Sequence, residues 1–518
     1  MSHKPGFLWR TAAAWDALRG RDQRRTRSVY AGGSGDRTMM AWVSSCLAPD
    51  EEIRGDIRIM RGRARQLTRD CAFVERYLQL LADNVLGAQG IRLRAQYRDG
   101  TGNLEKGLNS EVEGWWNELI DSPFTIDGKH DFAGASELGL TTAAIDGETL
   151  PRIYRGVGPF GIAIGFIDPD LLEETHNVMG GNGRNEIRLG VEVAPGGRPV
   201  RYWIRQDPRY VARNDSGRHE PVDARDMLHI GRGRRVNQTR YVTWLYPVMH
   251  LLHQLESYIE SELVSSRIAS NACGIWEDME AAVAGTERTS TDKPDQTQRI
   301  EAEPGMFIDA PSGKKLTEWA PGHPTDAFGP FVSELVREIA SGLGVSFASL
   351  ANNVSEASYS NERTSLLKER DRWMKVQDWW IRVWQRPLFE AALEEAVLKG
   401  MLPPDVLPDV GRRAPVLWAP RRWQWIDPKD DAETRIMMLE HNLTSHQRIH
   451  AELGTDLEEI LEERARAEEL AEENDVELGP SDAPEPAPAA TPAGSSNGNG
   501  NGAGSAKPRR SPRSRLPA

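Results

Sequence analysis

The residues of this chain that could bind a metal or a nucleotide lack the partners that such chemistry requires. His250 and His253 are three positions apart, but no acidic ligand follows at the offset of a HExxH zinc site. The segment 311–315, PSGKK, is similar to the end of a phosphate-binding loop, yet no glycine precedes it where the Walker A motif requires one. We therefore interpret the histidines as packed or exposed side chains and expect no ATP-binding motif.

Nucleophilic, dinucleotide and redox chemistry are equally poorly supported. The glycines of 179–185, MGGNGRN, lie between a loop and a strand, which favours a turn over a dinucleotide-binding loop. No GxSxG segment occurs, and the cysteines at 46, 71 and 273 form no CxxC pair. The sequence thus predicts no enzyme, no cofactor and no metal, and the cysteine usage fits a reducing compartment.

Composition indicates a large globular protein with its charges segregated along the chain. Its 518 residues allow about two to four domains. No apolar run of about 18 residues predicts a membrane span, and residues 1–20 lack an apolar segment of signal-peptide length. The net charge of −13 argues against a typical DNA-binding protein. Six arginines nevertheless fall within 54–69, and twelve acidic residues within 451–477. We interpret these as surfaces for different partners or as solvated helix faces.

The first half of the chain reads as mixed helix and strand. Apolar spacing predicts helices over 50–87 and 108–120, with a strand over 90–97 between them. An Asp-Gly turn within 139–155 separates a helix from a strand, and 187–205 predicts a hairpin around Pro-Gly-Gly. These elements indicate one α/β region.

The second half is mainly helical. A long helix is predicted over 244–272, with Pro247 in its first turn and an apolar stripe that includes Leu263. The residues 285–298 are polar, and the region around them reads as short strands. A polar helical tail and a Pro/Gly/Asn-rich segment without enough apolar surface to fold complete the chain.

The tract 331–393 is the most informative. It predicts a short amphipathic helix, a break at Gly342 and Gly344, a polar loop, and a long helix that ends near Pro387. From 346 to 360 there is no Lys or Arg. We interpret the tract as two helices that hold a small, glycine-hinged polar loop in place, with an ordinary helix–helix connection as the alternative.

Several segments resemble, in order and spacing, the tailed-phage portal proteins of the lambda type. They are IASGLGVSFASLANNVSEASYS over 339–360, the DGE triplet at 146–148, GVEVAPGGRPVRYWI over 190–204 and WLYPV over 244–248. The resemblance covers residues 55–465 and implies an α+β portal fold. The parts implied, in chain order, are an N-terminal arm (1–49), a mixed α/β wing (50–240), a stem helix (241–272), a small β-containing clip (273–322), a second stem helix (323–342), a tunnel loop (343–360), a long wing helix with the wing closure (361–428), a helical crown (429–479) and a disordered basic tail (480–518).

The resemblance also implies where the functional residues lie. The channel residues implied are those of the tunnel loop and its hinge: Gly342, Gly344, Ser346, Asn352, Asn353, Val354, Ser355 and Glu356. The clip residues implied for docking are Pro304, Gly305, Met306, Phe307, Lys314 and Lys315. A pore must pass DNA without binding its phosphates tightly, and a loop without cations suits that task.

The partners implied are those of a capsid vertex. They are further copies of the chain in a ring of about twelve, the double-stranded DNA in its channel, the terminase large subunit, the major capsid protein with its scaffold, and head-completion connectors, with no membrane. The implied location is the virion, after assembly in the host cytoplasm. The alternative is a non-pore nucleic-acid or capsid scaffold adaptor that acts through the arginine-rich helix 54–69 and the basic tail.

Overall fold

A computed structural model gives the architecture of the chain. It divides into two compact units, Met1–Glu433 and Thr434–Ala518. The structure describes residues 46–181, 183–206, 218–270, 274–278, 314–318, 327–353, 359–409, 412–423, 428–453 and 457–474. The N-terminal arm before residue 46, the tail after 474 and most of the clip lie outside these residues.

The region 50–87, predicted to be helical, consists of three helices. They are α1 (Pro49–Arg54), α2 (Ile57–Asp70) and α3 (Ala72–Val85). The helical conformation ends first at Gly55 and again at Cys71. The extended backbone of Cys71 (φ −106°, ψ 114°) interrupts the helical hydrogen bonding.

The predicted strand around 92 forms as β1 (Arg92–Ala95) and pairs antiparallel with β11 (Val416–Ala419). Helix α4 (Lys106–Ile120) follows, and α5 (Phe132–Asp146) begins where Asp131 accepts the Gly134 N–H at 2.7 Å. Helix α5 ends at Gly147, whose φ of 89° confirms the predicted Asp-Gly turn into β2 (Glu148–Arg155).

Two antiparallel sheets complete the α/β region. The first has the order β3 (Ile162–Ile167), β2, β8 (Ile230–Gly231). The second runs in sequence order from β4 to β7, and its strands are β4 (Glu186–Arg188), β5 (Val191–Val193), β6 (Pro199–Arg205) and β7 (His219–Asp223). The β5–β6 hairpin is confirmed. The extra β4–β5 turn was not expected and uses positive φ at Leu189 (49°) and Gly190 (85°), as a two-residue hairpin requires.

The long helix predicted over 244–272 is shorter in the structure. It is α6 (Met249–Ser270), so Pro247 lies just before it rather than in its first turn. Leu252 and Leu255 are buried as expected, but Leu263 is 55% exposed, which contradicts its place in the buried stripe. After it, β9 (Gly274–Asp278) and β10 (Lys314–Glu318) pair antiparallel.

The helix predicted over 323–342 is α7 (Phe328–Leu343), followed by a short helix α8 (Phe347–Ala351) and the long helix α9 (Tyr359–Trp380). The predicted end near Pro387 is wrong. A π-helical segment (Ile381–Gln385) leads directly into α10 (Arg386–Leu398), and the Arg386 N–H bonds the Ile381 carbonyl five residues back. The wider π turn spreads the carbonyls before Pro387, so its ring is accommodated without ending the helix.

Tryptophans form the centre of the main core. Trp380 stacks on Trp384 at 5.0 Å between centroids, and Trp116 meets Phe389 edge-on at 5.1 Å. All four rings are at most 1% exposed. The tryptophan-rich composition therefore serves an ordinary core to a large extent. A smaller core lies against the β4–β7 sheet, around Val191, Tyr202 and Ile204.

The described part of the second unit is helical, as predicted. Helix α11 (Pro428–Glu440) crosses the boundary between the units, and α12 (His446–Leu453) and α13 (Leu457–Glu473) follow. Within the residues described, no helix combines the length and apolar character that crossing a bilayer demands.

Candidate functional site

Gly344 makes the turn from α7 into the predicted tunnel loop. It caps the helix in the left-handed conformation, with φ 70° and ψ 37°. An added Cβ would also overlap the guanidinium of Arg372 on α9. The position therefore admits only glycine, both for backbone conformation and for space.

Gly342 does not belong to the break, which corrects the expectation of two hinge glycines. It lies inside α7, and an added Cβ would overlap Cγ1 of Val248 just before α6. Its missing side chain allows α7 to pack closely against the segment just before α6. The chain direction changes at Gly344 alone.

A buried glutamate fixes the first half of the loop. Glu369 of α9, 7% exposed, accepts the Ser346 N–H at 3.1 Å and the Ser349 hydroxyl at 2.9 Å on one oxygen. Its other oxygen accepts the Trp373 indole N–H at 3.2 Å. We call Glu369, Ser346, Ser349 and Trp373 the loop anchor. It joins the loop to a helix more than twenty residues further along the chain.

The anchored half is helical, whereas the sequence predicted a loop throughout 343–360. Ser346 caps α8, and its hydroxyl accepts the Ser349 N–H at 3.1 Å. Leu350 is 2% exposed and holds the helix on the core. A serine cap followed by an apolar position four residues later is a helix-start signal. It would have predicted α8 from the sequence.

Cations reach the loop from other elements, which its own sequence did not reveal. The Arg76 Nε of α3 donates to the Ser349 carbonyl at 3.2 Å, and the Arg337 guanidinium of α7 lies 4.9 Å from the Phe347 ring centroid. Beyond α8, Asn352 (φ 51°) and Asn353 are exposed. Val354, Ser355 and Glu356 lie outside the described residues.

The predicted clip residues are described only in part. Lys314 and Lys315 lie on β10, where the register places them opposite Asp278 and Glu277 of β9. Pro304, Gly305, Met306 and Phe307 lie outside the described residues. The β-strand content expected of this region is present in the β9–β10 pair.

A buried ionic network occupies the α/β region. Arg240, 1% exposed, donates to the fully buried Glu148 at 2.8 Å and to the carbonyls of Leu172 and Leu189 at 2.6 and 2.8 Å. His229 lies 2.8 Å from the other Glu148 oxygen. Burial opposes ionisation, yet Arg240 and His229 hold the pKa of Glu148 well below its usual range.

Helix α2 supplies the other arginines of this network. Arg61, 2% exposed, donates to Glu148 at 2.9 Å and to Asp170 at 2.6 Å. Arg65 donates to both oxygens of Asp146 at 2.7 Å. We call the whole set the ionic network, and its members are Arg61, Arg65, Asp146, Glu148, Asp168, Asp170, His229 and Arg240.

The network corrects the interpretation of the arginine-rich segment, which was predicted to be a partner surface or a solvated helix face. Arg61 and Arg65 face inward, while Arg54, Arg63 and Arg69 are exposed. Arg61 shares its spacing with buried Ile57 and Ala64, at i, i+4 and i+7. A cation on an apolar stripe is the signal that would have identified a buried partner. Asp146 was predicted only as part of a turn, but its carboxylate also belongs to the ionic network.

No group of three or more histidine, cysteine or acidic side chains suited to a metal occurs among the described residues. His250 and His253 share α6 without such a cluster. The described side chains instead provide charge compensation and loop support.

Comparison with known proteins places the chain in a family. The family model for "Phage portal protein, lambda family" matches residues 35–377. The chain is 27% identical over 475 residues to the probable portal protein of Halomonas phage phiHAP-1, covering 88% of this chain and 90% of that protein. It is 24% identical over 478 residues to portal protein B of Escherichia phage lambda, covering 84% and 88%.

Solved structures give a weaker likeness. The neck of an empty GTA particle, computed with C6 symmetry, matches 76% of this chain and 93% of that chain at 16% identity, with a TM-score of 0.41. The virion of a native gene transfer agent particle matches 81% and 98% at 14% identity, with the same TM-score of 0.41. The family match spans most of the chain, and the resemblance predicted from its motifs is confirmed: this chain belongs to the lambda family of phage portal proteins.

Proposed function

We propose that copies of this chain close into a ring of about twelve subunits at one vertex of a phage or phage-like capsid. Double-stranded DNA would enter and leave through the axis of the ring. Membership of the portal family supports a structural role without a catalytic step. In this role the protein belongs to the virion after assembly in the host cytoplasm.

The loop anchor is the observation that carries the proposal. Gly344 turns the chain out of α7, and Glu369 fixes Ser346 and Ser349 on α9. The loop is thus held firmly at its base while Asn352 and Asn353 stand exposed beyond α8. Exposed amides offer weak, neutral hydrogen bonds, so they can face a passing duplex without the ionic binding that would stall it.

The parts of the chain take the roles expected for this family. The α/β region serves as the wing, α6 and α7 as the stem, the region containing β9 and β10 as the clip, and the helices after 428 as the crown. Residues from Ser346 to Glu356 would line the channel. The clip, including Lys314 and Lys315, would dock the terminase large subunit and later the connectors, while the wing would contact capsid protein and scaffold.

The adaptor alternative receives less support. It assigned nucleic-acid binding to the arginine-rich segment, but Arg61 and Arg65 are bound to carboxylates inside the wing. Arg58 of the same helix also has an acidic neighbour, with its guanidinium 3.9 Å from the Glu174 carboxylate.

Mass measurement and imaging of the purified full-length chain test the ring directly. We expect a closed ring with an axial hole, and a chain that stays monomeric under all assembly conditions would refute the proposal. The channel is tested by Asn352→Arg/Asn353→Arg, which should leave rings intact but reduce DNA packaging or retention. A matched control, Gln66→Arg/Asn117→Arg, adds the same charge at exposed wing positions and should package normally.

A further inference from the structure

Three arginines beside the loop anchor have no acidic partner. Arg232 and Arg234 precede α6, and Arg372 lies on α9; we call them the arginine cluster. Among the residues that the structure describes, none of the three forms an ion pair with a carboxylate. This is unusual in a chain where acidic residues outnumber Lys and Arg by 77 to 64.

Aromatic rings hold the cluster in position. The Arg232 guanidinium carbon lies 5.0 Å from the ring centroid of Trp244 and 5.8 Å from that of Trp379. The Arg234 guanidinium lies 5.6 Å from the Tyr246 ring. Cation–π contacts of this kind orient a guanidinium while leaving its N–H donors available.

The three cations influence one another. Burial, and then the charges of Arg372 and Arg234, lower the pKa of Arg232. Arg372 also faces the Tyr77 hydroxyl, and its Nε is buried without a hydrogen-bond partner. Arg232 and Arg372 are half-buried, whereas Arg234 is exposed. Half-buried like charges cost free energy unless an anion joins them, so the isolated subunit holds an incomplete site.

Two lysines extend the positive surface along α9. Lys368 and Lys375 are exposed and stand four residues before and three residues after Arg372, on the same side of the helix. Trp379, seven residues after Arg372, continues this side. The result is a cationic ridge with an aromatic end, beside the base of the loop.

We propose that the arginine cluster binds Asp or Glu carboxylates from a second copy of this chain. The inference rests on the ring proposed above, which brings copies side by side. Guanidinium groups bind carboxylates through paired N–H donors, and such pairs gain strength where water is partly excluded. Oriented arginines, two of them half-buried, suit a permanent protein contact, whereas the same cations would bind the phosphates of a moving duplex too tightly.

The site would couple assembly to the loop. The Gly344 backbone lies directly against Arg372, so an anion that fixes Arg372 also fixes the start of the loop. One turn earlier on α9, Glu369 already holds Ser346. A neighbouring subunit would thereby complete the loop base.

Assembly of a double variant tests the proposal. Arg232→Gln/Arg372→Gln should need about tenfold or more protein for half-maximal ring formation, measured by native mass analysis. The control Arg63→Gln/Arg198→Gln removes the same charge from exposed positions and should assemble as the wild type does. Unchanged assembly of the Arg232/Arg372 variant would overturn the proposal.

A second measurement needs no substitution in the cluster. A carbodiimide joins lysine amines to carboxylates without a spacer, and rings made from isotopically light and heavy copies reveal links between chains. We expect Lys368 or Lys375 to link to an acidic residue of the other copy, and links confined to one chain would contradict the proposal.

A short DNA duplex serves as the competing probe. If the Arg232→Gln/Arg372→Gln variant loses duplex binding but assembles normally, the cluster binds phosphate instead of carboxylates. Wild-type protein that forms no ring would refute the proposed function. If rings form but the double variant assembles normally and no cross-links join two chains, only this inference is refuted.

Discussion

The ionic network and the arginine cluster use the same side chain in opposite ways. Arg61 and Arg240 are at most 2% exposed, and both bond Glu148. Arg232 and Arg372 are half-buried. Arg232 lies over the Trp244 and Trp379 rings, and the charge of Arg372 lowers the pKa of Arg232. The first arrangement finds its counter-charges within one chain, so it stabilises the fold. The second has no counter-charge among the described residues of its own chain, so it is suited to a contact with carboxylates of another subunit.

The network also joins elements that are distant in sequence. It links α2 to the start of β2, to the 3₁₀ turn at Pro169–Leu171 and to the segment before α6. Removing one partner leaves the other charges buried and uncompensated, which costs far more than an exposed pair is worth. The arginine cluster should behave in the opposite sense, because its removal relieves repulsion.

The largest expected contrast comes from one substitution in each region. Arg61→Gln removes one of the two buried arginines that bond Glu148 and one of the two arginines that bond Asp170, and should destabilise the α/β region by about 3–5 kcal/mol. Arg232→Gln loses cation–π contacts but relieves like charges, so its net effect should stay within about 1 kcal/mol. Urea unfolding of the non-assembled chain measures both. Equal losses would abolish the distinction between the two regions.

A smaller effect is expected at the turn that joins the cluster to the loop. Gly344→Ala forces a positive φ on alanine and displaces Arg372, and should cost about 1–3 kcal/mol. Gly90→Ala is the matched control, because Gly90 has a similar φ of 67° but open space around it. The control should cost about 1 kcal/mol from backbone strain alone. Equal unfolding midpoints for the two variants would mean that the Arg372 contact contributes nothing.

The sequence predicted the elements well where local pattern decides them. The Asp146–Gly147 turn, the β5–β6 hairpin and the helices around 108–120 and 328–343 follow from periodicity and turn residues. It failed where tertiary contacts decide. The π segment before Pro387 is set by core packing around Trp380 and Trp384, which no local rule indicates.

The site was predictable in position but not in construction. The motif resemblance located the loop, yet Gly342 was read as a hinge because a glycine's packing partner, here Val248, lies about a hundred residues away. The Glu369 contact and the two arginines that reach α8 are equally non-local. The distribution of charges along the sequence does not distinguish Arg61, whose charge is compensated by carboxylates, from Arg232, whose charge is not compensated within the part of the chain that the structure describes.

Acid should weaken the network selectively. The pKa of Glu148 is held below its usual range by Arg240, and that of Asp170 by Arg61, both against burial. A depressed folded-state pKa contributes stability above the unfolded-state pKa, near 4, and that stability is lost as pH falls below it. Burial raises the pKa of Asp146 and offsets part of this loss.

The measurement compares wild type with Glu148→Gln by urea unfolding between about pH 7 and pH 3. The stability difference should be constant near neutrality and shrink below about pH 4, by at most about 1.4 kcal/mol per pH unit for one carboxylate. Glu220→Gln, which removes a half-exposed partner of Arg152, should show almost no such pH dependence. A difference that grows in acid would contradict the ionised state of Glu148.

A mainly local effect is expected at the loop anchor, which adjoins the arginine cluster and supports the proposed channel loop. Glu369→Gln keeps the shape of the side chain but lacks the charge that accepts the Ser346 and Ser349 donors. Because these are few hydrogen bonds at the edge of the core, global stability should fall by only about 1–3 kcal/mol. The amides of 346–351 should nevertheless exchange with deuterium markedly faster, since local opening no longer breaks charge-assisted bonds. Asp371→Asn removes an exposed carboxylate from the same helix and should leave that exchange unchanged. If both variants exchange alike, the loop is held by the packing of Leu350 rather than by the hydrogen bonds of Glu369. The base of the proposed channel loop would then be stabilised by apolar contacts.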